Sequence, residues 1–144
     1  MPYADQQDLE RLFGSAELLI AADRDGDGEA DPGVIRAALD AATAEMDSYI
    51  GVKYTLPLSL TQKPVVLVDT CCDIAMYRMS IDSPAMTDAK RQRYDDRIKW
   101  LRDLAREVVT LGRQESTETA DDLTVQTDSS EVRLFSRTKM SGLL

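Results

Sequence analysis

The sequence contains no histidine. That removes the imidazole general base, the Ser-His-Asp and Cys-His nucleophile arrangements, and most zinc sites. No GxGxxG loop and no GxxxxGKS or GxxxxGKT loop is present, so the common backbone cradles for dinucleotides and triphosphates are missing too. A pair of carboxylates about 5–9 Å apart could still hydrolyse a glycoside. Nothing in the spacing of the acids singles out such a pair. The composition points away from an enzyme.

Other scarcities narrow the class. Aromatics make up 6% of the chain against 43% hydrophobic residues, so the core is modest and mostly aliphatic. No apolar run approaches the roughly 18–20 residues of a membrane span. The opening MPYADQQDLE is polar and acidic and lacks the basic-then-apolar pattern of a signal peptide. The expectation is a protein made and kept in a cytoplasm, or released by lysis. The two cysteines, Cys71 and Cys72, are adjacent. Successive helical residues point about 100° apart, so a bond between them would be strained. Both read as small core residues in a reducing compartment.

The net charge of −9 is unevenly placed. Residues 1–50 carry 12 acids and 3 bases, while the remainder is balanced at 14 of each. An acidic surface repels phosphates at long range, which argues against sequence-general DNA binding by the whole chain.

The pattern predicts a mainly α protein, a compact bundle of short and long helices with an extended or β-strand C-terminal tail. Asp5 caps a short helix to Phe13, ended by Gly14. Ser15 caps a second short helix. A longer one starts at Pro32, capped by Asp31, and carries Ile35, Ala38, Leu39, Ala42, Met46, Tyr49 and Ile50 at helical spacing until Gly51. Residues 52–64, with Pro57 and Pro64, read as an extended connection. Pro64 opens VVLVDTCCDIAMYRMS, apolar around much of its circumference and so expected at the centre. Thr87 caps the last helix, expected to run to Gly112. Residues 1–112 form the helical domain. Residues 113–122, RQESTETADD, read as a linker. LTVQ and VRLFS beyond it have strand-like composition around a DSS turn, so residues 113–144 are expected to be a linker and a docking tail that a partner orders.

One local motif carries chemistry. Asp23-Arg24-Asp25-Gly26-Asp27-Gly28-Glu29-Ala30-Asp31 matches the first half of a calcium loop, D-x-D-x-D-G. Hard Ca²⁺ takes six to eight oxygens, and alternate carboxylates in a tight turn face inward together. Gly28 permits the left-handed backbone such a turn needs. Glu29 could offer its carbonyl, and Asp31 could ligate directly or through water. The match then stops, because the twelfth position, a bidentate acid in a full loop, is Val34. The candidate metal residues are Asp23, Asp25, Asp27, Glu29 and Asp31, for a structural Ca²⁺ at most; no cofactor is required. The other reading is a solvated acidic turn at a helix N-terminus.

The last helix is rich in bases: Lys90, Arg91, Arg93, Arg97, Lys99, Arg102 and Arg106, among Asp95, Asp96, Asp103 and Glu107. It reads either as a strip for an acidic partner or DNA in a channel, or as a solvated face laced with i,i+4 pairs. A third reading sets the acidic first third of one subunit against this helix of the next, as in a ring.

The order of these features resembles a known family. MPYADQQDLERLFG is similar to the opening of the Mu-like bacteriophage head–tail connector (adaptor) family. So are the aspartate-glycine loop, the helix ending in Asp47, Tyr49 and Gly51 before Leu56-Pro57-Leu58, the DIAMYRM stretch at 73–79, and the closing RLFSRTKMSGLL. The resemblance covers nearly the full length; GLL at the end departs from the family's Gly-Phe and leaves the tail contact open. It implies a virion structural protein, assembled in the host cytoplasm and placed at the head–tail interface. There a homo-oligomeric, dodecameric ring sits under the portal protein and extends the channel through which DNA passes. It docks a stopper or tail-completion protein and touches no membrane. The competing reading, carried by the acidic loop alone, is a monomeric calcium-binding regulatory module.

Overall fold

Where each helix begins and ends is set by the groups that satisfy its free backbone N–H and C=O. A computed structural model describes residues 1–60, 62–81 and 83–112. They form five helices: α1 Gln6–Phe13, α2 Ser15–Ala22, α3 Pro32–Ile50, α4 Val65–Ser80 and α5 Asp88–Ala105. No strand occurs among the described residues, and none of these helices is long and apolar enough to cross a membrane. The expected helical class is observed. The linker and tail, residues 113–144, lie outside the described residues.

Asp5 caps α1 as expected, and with Asp8 it closes a capping box. Thr87 caps α5 through the Lys90 N–H. Ser15 does not cap α2: it is the first helical residue, and Gly14 occupies the cap position at φ 86°, in a sharp corner between two short helices. Asp31 sits at the N-cap of α3 without a side-chain cap bond; its carboxylate is used elsewhere. Gly51 ends α3 in a right-handed conformation. Its value is space, since a Cβ there would stand 2.9 Å from the Asp47 carbonyl and 3.1 Å from Leu56.

α5 stops at Ala105, seven residues before the expected Gly112. Glu107 adopts φ 62°, and the N–H groups of Val108 and Val109 turn back to the Asp103 carbonyl. Val108 and Leu111 keep helical spacing, but the β-branched run Val108-Val109-Thr110 favours helix weakly. Two contacts hold the turned chain: Lys53 Nζ pairs with Glu107 at 3.0 Å, and the Leu111 N–H donates to the Tyr54 hydroxyl at 3.3 Å. Val108 is 70% exposed.

α4 is the central element and packs against each of the other four helices. Leu67, Cys71, Cys72, Ile74, Ala75, Met76 and Met79 are buried on it. Each large apolar side chain there contributes about 1.5–3 kcal/mol. Both cysteines are free and buried, as expected; burial raises both thiol pKa values, keeping them protonated. Two polar groups on α4 bond within the helix: Thr70 Oγ1 to the Val66 carbonyl at 2.6 Å and Ser80 Oγ to Met76 Sδ at 3.8 Å.

Asp73 is the exception, a carboxylate 2% exposed in the middle of α4. Arg97 Nε donates to Oδ2 at 2.7 Å. Arg93 Nε lies 3.1 Å from Oδ1, yet Oδ1 has no well-directed hydrogen bond. That second contact is Coulombic, with the N–H aimed off the lone pair. Arg93 also lies over the Phe13 ring, 5.0 Å from its centroid. Arg93 and Arg97 thus pair inward with α4 rather than with acids along their own helix. Removing the carboxylate leaves two unpaired guanidiniums. Their side chains are 43% and 27% exposed, so water screens part of the loss. Asp73→Ala should cost about 2–3 kcal/mol in urea unfolding, below the ~3–5 of a fully buried pair. A loss under about 1 kcal/mol, the level of a surface pair, would show that the carboxylate does not anchor α5.

Two tyrosines belong to the same packing. Tyr94 stacks on Tyr77 with ring centroids 4.0 Å apart, and its hydroxyl donates to Glu45 at 2.8 Å. Tyr3 donates to Asp47. Burial, then the carboxylate partner, pushes the Tyr94 pKa up to about 12 and raises that of Tyr3 further. Both folded values lie above the ordinary 10. The stability these groups contribute is thus full below pH 10 and is lost as pH rises through 12. Alkaline absorbance titration should show Tyr3 and Tyr94 ionising late. Tyr94→Phe should remove one; an unchanged curve would refute the assignment.

Candidate functional site

The acidic turn lies between α2 and α3, and its conformation is built by its own side chains. Asp23 accepts from the Gly26 N–H at 2.7 Å and, through its other oxygen, from the Gly28 N–H at 3.1 Å. Asp25 accepts from the Asp27 N–H at 3.2 Å and Asp27 from the Glu29 N–H at 2.8 Å. Short acidic side chains that bond amides two or three residues on fold the backbone into successive turns. Gly26 and Gly28, at φ 79° and 88°, supply the left-handed steps. Gly28 was legible from the motif; Gly26 was not.

The turn brings one oxygen each of Asp23, Asp25 and Asp27 within 4.8 Å of one another. Three hard carboxylate oxygens without a nitrogen or sulfur donor suit Ca²⁺ better than a transition metal. Glu29 and Asp31 do not join this cluster. Glu29 is exposed, and Asp31 accepts the Arg24 N–H at 2.9 Å, pinning the two ends of the loop together. Val34, at the twelfth position, is in α3 and packs against the core. None of the acids makes a side-chain cap bond to α3, although Asp31 holds its N-cap position and residues 24–29 are exposed, as in the reading of a solvated acidic turn.

Arg24 is the part of the loop that the motif does not reveal. Its guanidinium donates to the Met79 carbonyl at 3.0 Å, near the C-terminal end of α4. There a cation also meets the negative end of the helix dipole. The loop is thereby tied to the central helix, although its carboxylates face solvent.

The bases of α5 divide between interior and surface. Lys90 is only 7% exposed; its Nζ donates to the Ala85 carbonyl at 2.7 Å and pairs with Glu17 on α2 at 3.0 Å. Arg93 and Arg97 turn to Asp73. Arg91, Lys99, Arg102 and Arg106 remain exposed, beside exposed Asp88, Asp95 and Asp96. The outward face is closer to neutral than the sequence suggests, which weakens the reading as a strip for DNA. On α4, Arg78 pairs with Glu45 on α3 at 2.6 Å. The segment Asp73, Tyr77 and Arg78 thus supplies the polar and aromatic anchors of α4 to its neighbours.

A helical domain without histidine, anchored through an Asp-Ile-Ala-Met-Tyr-Arg segment and carrying an acidic turn, matches one family of phage proteins. The model described as Bacteriophage Mu, Gp36 matches residues 3–128, and the chain belongs to that family. It is 36% identical over 91 residues to the Mu-like prophage FluMu protein gp36 of Haemophilus influenzae, a stretch covering 63% of this chain and 62% of that protein. It is 29% identical over 102 residues to Gene product J of Escherichia phage Mu, covering 70% of each. The match thus spans somewhat under two thirds of the Haemophilus protein.

Proposed function

We propose that the chain is a head–tail connector subunit of a tailed bacteriophage. Copies form a dodecameric ring under the portal protein, extend the DNA channel and present the surface on which a stopper or tail-completion protein docks. The protein acts at the head–tail interface of the virion by packing, not by catalysis. The observation that carries this reading is the family match over residues 3–128. The absence of histidine and of phosphate-binding loops agrees with it. So do the 32 residues beyond Gly112, whose sequence reads as linker and tail.

Electron microscopy and sedimentation of the protein mixed with its portal ring test the proposal. The expected result is a ring-shaped complex of defined stoichiometry, and failure to bind the portal ring would overturn it. A monomer without portal would not, because assembly can await the template. Deleting residues 123–144 should leave the helical circular dichroism and the unfolding midpoint intact while abolishing assembly. Loss of the fold on deletion would instead place that segment in the core.

A second reading, a monomeric calcium module, is favoured by the convergence of Asp23, Asp25 and Asp27. In the connector reading the same loop takes Ca²⁺ only to stiffen the α2–α3 corner. Millimolar Ca²⁺ should raise the melting temperature of the parent protein, since a ligand that binds only the native state stabilises it. Asp25→Ala should abolish that rise. No shift in the parent would remove calcium from both readings; tight micromolar binding by a monomer that ignores the portal would favour the module.

A further inference from the structure

The N-terminal residues, the end of α3 and the segment before α4 surround an apolar cavity of about 430 Å³, within the roughly 300–1,000 Å³ of ligand sites. Pro2, Tyr3, Pro57, Leu58 and Leu60 line it, together with Asp47 and Lys63. Both charged groups are already engaged, Asp47 by the Tyr3 hydroxyl and Lys63 by the Pro2 carbonyl at 2.9 Å. The fitting occupant is therefore apolar.

The cavity wall has a second property. Leu58, Ser59 and Leu60 are neither helical nor paired, and their backbone N–H and C=O groups have no hydrogen-bond partner among the described residues. Leu58 and Leu60 are half-buried while Ser59 is exposed. Unpaired backbone beside an apolar cavity suits an extended peptide, which adds main-chain bonds and places alternate side chains in the cavity.

We propose that this groove receives Val132–Phe135 of a second copy of the chain. The segment reads VRLF, with Val132 and Leu134 on one side of an extended backbone and Arg133 on the other. The described chain ends at Gly112, just after Leu111, whose N–H is held by Tyr54, four residues before Leu58 in sequence. Nineteen residues lie between Gly112 and Val132, a reach of up to about 66 Å. A domain of about 100 residues has a radius of gyration of only about 13 Å, so the tail can span to an adjoining copy. Exchange of this kind is head-to-tail and closes when the copies form a ring. The inference rests on the connector reading only in requiring copies to adjoin.

Full-length Leu60→Cys and Leu134→Cys chains, mixed and oxidised, test it; the native Cys71 and Cys72 are buried. The expected product is a cross-linked dimer in the mixture. An Ala44→Cys chain, altered on the exposed face of α3, should give none with Leu134→Cys. Leu60→Glu should weaken self-association at least tenfold with unchanged circular dichroism. No cross-link in the mixture, or a cross-link confined within single chains of the double variant, would overturn the proposal. Portal binding, measured on the same samples, keeps the two readings apart. Rings that bind portal without the cross-link sink the groove alone; a cross-link in a protein that ignores portal sinks the connector alone.

Discussion

A carboxylate buried at the centre of a helix surrounded by other helices must be paired, because leaving it alone in a low-dielectric interior costs several kcal/mol. Asp73 imposes that constraint here. Its two cations come from α5, one helical turn apart, so the rotation and height of α5 against α4 are fixed together. Tyr94, between them in sequence, then falls on Tyr77 and reaches Glu45 on α3. Lys90, one turn earlier, meets Glu17 on α2. One face of α5 thus makes polar contact with three other helices, and the apolar core fills in around those contacts.

This arrangement changes the meaning of the charge pattern. The excess of acids in the first third is real, and much of it stays on the surface. The basic character of α5 is partly spent inside the molecule, on Asp73 and the Ala85 carbonyl. A surface of mixed charge is poorly suited to gripping a phosphate backbone and better suited to packing against another protein. The acidic loop, tied to α4 through Arg24, becomes a stiff corner of the domain whether or not a cation sits in it.

Membership of the Mu Gp36 family turns attention to what the domain presents outward. Inside the helices the backbone N–H and C=O groups satisfy one another. Those of the segment from Pro57 to Leu60 have no partner among the described residues. Such backbone groups are open to water or to another chain.

Most of the helical fold was legible in the sequence, because caps, prolines and apolar spacing act locally. Asp5, Pro32, Pro64 and Thr87 each mark a helix start within a residue, and the all-round apolarity of residues 65–80 marks the central helix. The convergence of Asp23, Asp25 and Asp27 was legible too, since the turn that gathers them is made by their own bonds to amides a few residues away. Distance in sequence hid the rest. The early end of α5 depends on Lys53 and Tyr54, more than fifty residues upstream. Arg93 has Asp96 one turn away along the helix, yet it and Arg97 pair with Asp73, twenty or more residues back. A buried carboxylate gains far more from a cation than a solvated one does, and burial is decided only when the helices pack.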